Sequence, residues 1–208
     1  MIEVFNILEI IGIIAFSISG AIVAIEKKMD LLGVIILGIT TAIGGGIIRD
    51  IILGNTPPVS FKHPLNALIA LISVLIFLIP YIRKSLLNKK KKHELILLIM
   101  DSLGLGIFTV IGVKSAFISG YETNLFLQIF VGVITGVGGG VLRDMFAGNK
   151  PYVFVKHFYA TTSILGSIIC ALLWKYIGGS LAMFIGFITI FILRICAAYF
   201  RWSLPKIN

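Results

Sequence analysis

Seven long apolar stretches follow one another along the chain, approximately Val4–Ile25, Leu31–Leu53, Leu65–Arg83, His93–Ala116, Leu125–Phe146, Phe158–Tyr176 and Leu181–Phe200, with short polar connections between them. A bilayer core of about 30 Å is crossed by roughly 20 apolar residues in helical conformation. The pattern therefore predicts an all-α membrane protein with seven transmembrane helices, built as a single membrane domain over residues 1–208. Connections this short leave no room for a soluble catalytic or receptor domain, so the activity is expected within or across the membrane. Two stretches are broken by polar residues in the same order: GGGIIRDIILGNTPP from Gly44 to Pro58, and GGGVLRDMFAGNKPY from Gly138 to Tyr152.

These two segments belong to an internal repeat. Gly38–His63 aligns without a gap on Gly132–His157 and matches at half of the window, including Gly38, Thr41, Arg49, Asp50, Gly54, Asn55 and Pro57. With a two-residue slip the match extends upstream, pairing Glu9, Gly12, Phe16, Gly20 and Ala24 with Asp101, Gly104, Phe108, Gly112 and Ala116. Each repeat holds three helices, residues 4–84 and 93–177, and the seventh helix at 180–200 stands outside them. Three spans per repeat are an odd number, so the second copy is expected upside down relative to the first. Inverted repeats are a common way to build a transport path about a pseudo-two-fold axis.

Composition agrees with hydropathy: 58% of residues are hydrophobic and 13% charged, with a mean hydropathy of +1.07. The first stretch has no basic start and carries Glu3 and Glu9, which argues for a retained span rather than a signal peptide. Cys170 and Cys196 lack metal or redox spacing and read as small apolar residues; no metal and no cofactor is implied. The net charge of +9 is no sign of nucleic acid, because six of the eighteen basic residues sit in one run, Arg83 to Lys92, between the third and fourth helices. By the positive-inside bias that run is cytoplasmic, which places the N-terminus outside and the C-terminus inside a multi-pass cell-membrane protein. Lys27, Lys28, Lys150, Lys156, Arg201 and Lys206 then fall on the cytoplasmic side as well. The basic run can also contact anionic membrane lipids. His63 and His157 read as interfacial anchors, Lys114 and Arg194 as snorkelling side chains near helix ends.

The chemistry lies in the repeated motif. A glycine inside a helix costs on the order of 1 kcal/mol relative to alanine, so Gly44, Gly45, Gly46 and Gly138, Gly139, Gly140 weaken the second and fifth helices, and a bend or unwound turn is expected there. Irregular backbone at membrane depth must be buried in protein or line a water-filled path. Close helix packing through small residues explains the same glycines, and the two roles can coexist. Charged residues at mid-membrane cost roughly 2.5–3.5 kcal/mol and normally face the bundle interior with partners. Glu9, Arg49, Asp50, Asp101, Arg143 and Asp144 all fall within predicted spans. Adjacent helical residues diverge by about 100°, so Arg49 and Asp50 are expected to seek other partners than each other. Depth selects Glu9 for Arg49 and Asp101 for Arg143. Such pairs either hold the bundle together or touch a permeant species. Four acids against two arginines leave this inner set with a negative bias that favours cations.

Two copies of GGGxxRD followed by GNxP in a seven-helix chain resemble the prokaryotic members of the trimeric intracellular cation (TRIC) channel family, whose repeat is also labelled a glycine transporter domain. The resemblance covers nearly the whole chain. It implies a homotrimer with a pore in each protomer, the kinked second and fifth helices at the pore's centre, and monovalent cations (potassium chiefly, and sodium) as the permeant species. On that resemblance the six glycines form the kinks, and Arg49, Asp50, Arg143 and Asp144 sit beside the path. Animal members carry basic residues at the fifth-helix site that contact phosphoinositide; Arg143 and Asp144 stand there instead. The rival transport reading is a carrier of glycine or another small amino acid, its carboxylate held by broken-helix amides or an arginine. An intramembrane aspartyl protease would need Asp50 and Asp144 about 3 Å apart, which inverted placement forbids, so no enzyme is expected.

Overall fold

Local side chains set where several helices begin and end. Asp30 starts one by accepting the Gly33 N–H at 2.7 Å, and Asn124 starts another by accepting that of Leu127 at 3.0 Å, each satisfying a donor that a helix N-terminus leaves unpaired. The Gly-Asn of the repeated motif ends both helices in the same way. Gly54 and Gly148 take positive φ of 76° and 67°, Asn55 N–H reaches Asp50 C=O, and Asn149 N–H reaches Asp144 C=O, each at 2.8 Å. With Gly54 N–H on Ile51 C=O and Gly148 N–H on Met145 C=O, both ends are Schellman caps, for which a left-handed glycine is the natural residue.

In a computed structural model that describes residues 2–87, 90–155 and 158–202, the chain forms α1 (Ile2–Glu26), α2 (Leu31–Ile52), α3 (Val59–Lys62), α4 (Leu65–Leu78), α5 (Pro80–Leu87), α6 (Lys90–Ile118), α7 (Leu125–Phe146), α8 (Tyr152–Val155), α9 (Tyr159–Ile177) and α10 (Gly179–Tyr199). Lys89 of the basic run, Lys156, His157 and Lys206 lie outside the described residues. Among the described residues α1, α2, α6, α7, α9 and α10 are long and apolar enough to cross a membrane, and α4 is a shorter apolar helix. The stretch expected as one span over Leu65–Arg83 is two helices. Ile79, at φ −56° and ψ 124°, breaks it, because the residue before a proline is pushed out of the helical region and Pro80 follows. The 14 residues of α4 reach only about 21 Å at 1.5 Å per residue.

α2 and α7 pack directly on each other and run antiparallel. Leu53 after α2 is buried with Val131 at the start of α7, while Ala147 after α7 is buried with Val34 at the start of α2. Both helices continue as α-helix through their glycine triplets; the expected unwound turn is absent. The middle glycines are contact points instead. A Cβ on Gly45 would strike the Thr135 carbonyl oxygen, and one on Gly139 would strike that of Thr41. The contact is reciprocal between repeat-equivalent residues, and only hydrogen fits between the backbones.

Each repeat packs its first helix on its second through equivalent glycines. A Cβ on Gly20 would meet Thr41 Oγ1 at 2.6 Å and Leu37 O at 2.7 Å; on Gly112 it would meet Thr135 Oγ1 at 2.6 Å and Val131 O at 2.7 Å. Phe16 and Phe108, also equivalents, meet with ring centroids 5.3 Å apart. Phe16 closes over Gly104 and Phe108 over Gly12. α10 breaks the symmetry, since it packs against α6 and α9 in the second repeat.

Candidate functional site

The Arg-Asp pairs sit in the last turn of α2 and of α7, next to the Schellman caps. In the first repeat Arg49 donates from Nε and Nη2 to Asp50 Oδ1, both at 2.8 Å, and Asp50 Oδ2 accepts the Val59 N–H at 2.9 Å. In the second, Arg143 Nε donates to Asp144 Oδ1 at 2.9 Å, and Asp144 Oδ2 accepts the Tyr152 N–H at 2.9 Å. The expectation that neighbours on a helix cannot pair is wrong for both. At the end of a helix no further turn blocks the aspartate, the arginine stem is long enough to fold back, and the second carboxylate oxygen caps the chain beyond the turn.

The two sites differ in their other partners. Arg143 is fully buried and also donates from Nη1 to Asp101 Oδ1 and to Ser19 Oγ, both at 2.6 Å; its guanidinium lies 5.0 Å from the Tyr152 ring centroid. The Asp101–Arg143 pair is the one that depth selects. In the first repeat the corresponding pair does not form: Glu9 Oε1 accepts from Asn66 Nδ2 at 2.7 Å, while Arg49 stays with Asp50. Glu9 and Arg49 nevertheless face one small cavity of about 20 Å³, together with Gly46, Asn66 and Phe108. That is room for about one water.

A larger cavity of about 250 Å³ opens in the second repeat, with Asp101, Tyr152 and Arg194 among its walls and Glu26 and Glu94 beside them. Arg194 is 3% exposed, so it is not snorkelling. It lies over the Tyr159 ring at 4.8 Å and 3.9 Å from Asp101 Oδ2. Lys114 likewise stands within electrostatic reach of Glu9. The inner set of Glu9, Asp50, Asp101 and Asp144 is thus met by four cations rather than two, and the negative bias expected of it disappears. Glu26 and Glu94 are further acids, outside this set, at the larger cavity.

Ser19, Asn66, Tyr152, Tyr159 and Arg194 were not singled out by the repeat. Ser19 aligns with Ile111, and α10 has no repeat partner, so self-comparison carries no signal for either. Depth within α10 does carry one for Arg194, which lies five residues before the helix ends. Of the glycines, Gly45 and Gly139 make the crossing, Gly44 abuts Leu142, Gly138 abuts Gly45, Gly140 abuts the Tyr159 hydroxyl, and Gly46 meets only Arg49. Asp50 and Asp144 take separate partners at opposite ends of the antiparallel pair, so no aspartyl dyad forms. Among the described residues no cluster of three or more His, Cys, Asp or Glu is placed to hold a metal ion.

Comparison with known proteins gives a consistent assignment. A family model described as glycine transporter matches residues 6–81 and 98–175, one match in each repeat. The UPF0126 membrane protein YvgT of Bacillus subtilis is 38% identical over 202 residues, covering 97% of this chain and 95% of the relative. A solved structure described as the structural basis for conductance through TRIC cation channels superposes with a TM-score of 0.85 at 38% identity, covering 99% of this chain and 98% of the other. The TRIC trimeric intracellular cation channel orthologue from Rhodobacter sphaeroides gives 0.86 at 30% identity, covering 95% and 98%.

Proposed function

Because the chain belongs to the prokaryotic TRIC cation channel family, which also carries the glycine transporter label, we propose that it is a channel for monovalent cations, potassium foremost, that works as a homotrimer with one path in each protomer. The path runs along α2 and α7. The observation that carries this is the reciprocal crossing of the two helices, with one charged cavity beside the Arg49 pair and another beside Arg143. Between the cavities stand the glycine crossing and the Phe16–Phe108 pair, which occlude the path in this conformation. Flux then requires these rings and helices to move apart.

Seven spans in two inverted three-helix repeats complete the reading, with α4 and α5 together serving as the third span. The antiparallel sense of two repeat-equivalent helices supports the inversion. The N-terminus is outside and the basic run faces the cytoplasm. Cations are favoured by Glu26 and Glu94 at the mouth of the larger cavity rather than by the balanced inner set. Fixed carboxylates at a pore mouth raise the local cation concentration.

Purified protein in liposomes tests the proposal, assayed side by side for potassium flux down a gradient and for labelled glycine uptake. Potassium flux that grows with the gradient, without saturable glycine uptake, is the expected result. Saturable glycine uptake without potassium flux would establish the carrier.

A further inference from the structure

We propose that the larger cavity binds linear aliphatic diammonium cations and that such a ligand, entering from the side of the basic run, obstructs the path. One face of α6 builds most of the wall: Glu94, Leu97, Leu98 and Asp101 follow at helical spacing and all line the cavity. Glu94 and Glu26 are exposed at the mouth. Asp101, 1% exposed, lies at the other end. Seven residues of helix separate Glu94 from Asp101 by about 10 Å along the axis, with two leucines between them.

The deep carboxylate has capacity left. Asp101 commits Oδ1 to Arg143, while its Oδ2 accepts no hydrogen bond and points to the side of Arg194, another wall residue, at 3.9 Å. Three carboxylates line the cavity with the Arg194 guanidinium, and Arg143 lies behind Asp101. They do not converge: among the described residues no three acidic, histidine or cysteine groups are close enough to share a metal ion. Separated acids with an apolar strip between them match separated positive charges joined by methylenes. His93 Nε2 already stands 2.6 Å from Glu26 Oε1 and blocks its approach, so Glu94 is the mouth acid on which the ligand chiefly depends. Its partner at depth is Asp101.

The binding claim does not need the channel reading; the obstruction claim rests on it. Melting temperature of the detergent-purified protein is measured with hexamethylenediamine, ethylenediamine, n-butylamine, glycine and calcium chloride at equal ionic strength. Hexamethylenediamine, long enough to approach both ends, should stabilise most, and E94Q should weaken its apparent affinity about two- to fivefold. Equal stabilisation by all the amines, stabilisation by glycine or calcium instead, or an unaltered affinity in E94Q would overturn the site. In planar bilayers hexamethylenediamine should reduce potassium current from the basic-run side only, read as fractional block within each variant. Block from either side alike would overturn the obstruction, and a protein that binds diamine yet passes no potassium would refute the channel reading alone.

Discussion

The two Arg-Asp sites carry one motif and live in different surroundings. Arg49 keeps 12% of its side chain exposed and bonds Asp50 through Nε and Nη2. Arg143 is sealed from solvent and binds Asp144, Asp101 and Ser19 while lying against Tyr152. What the repeat shares is what is local in sequence: the adjacent pair, the Schellman cap and the backbone N–H bound by the second carboxylate oxygen. What differs comes from elsewhere. Ser19 has Ile111 as its counterpart, Asn66 has Ala160 at the same offset, and α10 brings Arg194 to one repeat only. A duplicated motif thus fixes a turn and leaves its burial to the neighbours.

The comparison breaks most easily at the arginines. Arg143→Met strands two buried carboxylates and should cost about 3–5 kcal/mol, seen as loss of folded protein or a large fall in melting temperature. Arg49→Met strands one carboxylate, Asp50, at a site where the arginine is 12% exposed, and should cost less, about 1–3 kcal/mol in the same assay. Equal losses would mean that the surroundings do not matter. At the crossing the repeats should behave alike: Gly45→Leu and Gly139→Leu each overpack a backbone contact and should cost roughly 1–3 kcal/mol or more. Melting temperature and liposome flux should fall together in both. A stably folded mutant that has lost only flux would restore the bend as the glycines' main role.

Smaller effects sharpen the contrast. Ser19→Ala removes a hydrogen bond to a buried charge and should lower stability by about 1.5–3 kcal/mol, more than any serine substitution on the lipid-facing surface. Asn66→Ala should cost about 1 kcal/mol and release Glu9 toward Arg49. A double-mutant cycle between Glu9 and Arg49 should show coupling that grows in the Asn66→Ala background. Coupling already large in the native background would show that the two pair directly.

Hydropathy placed most helices to within a few residues because a lipid-length apolar run has few alternatives. It failed at Leu65–Arg83, where Pro80 was present in the sequence but apolar length alone does not register the restriction a proline places on the residue before it. The repeat exposed Gly45 and Gly139 as special, yet whether a glycine bends a helix or admits another backbone depends on what lies opposite. Asp101 and Arg143 were legible from depth. Glu9 escaped that logic because its longer side chain reaches Asn66, a residue with no charge to draw attention. Arg194 stands near a helix end, where snorkelling is the usual fate, and its acidic partner Asp101 lies some ninety positions away in the chain.

The order of synthesis gives the asymmetry a further meaning. Within α2 the seam residue Thr41 bonds the Leu37 carbonyl at 2.6 Å, as Thr135 bonds that of Val131 in α7, and Arg49 pairs with Asp50. The first arginine therefore finds its partner within its own helix. α7 emerges later, and the partners of its arginine are already inserted: Ser19 on α1 and Asp101 on α6. The early arginine is self-sufficient and the late one dependent, so the nascent chain carries its least tolerable charge only once there is somewhere to put it.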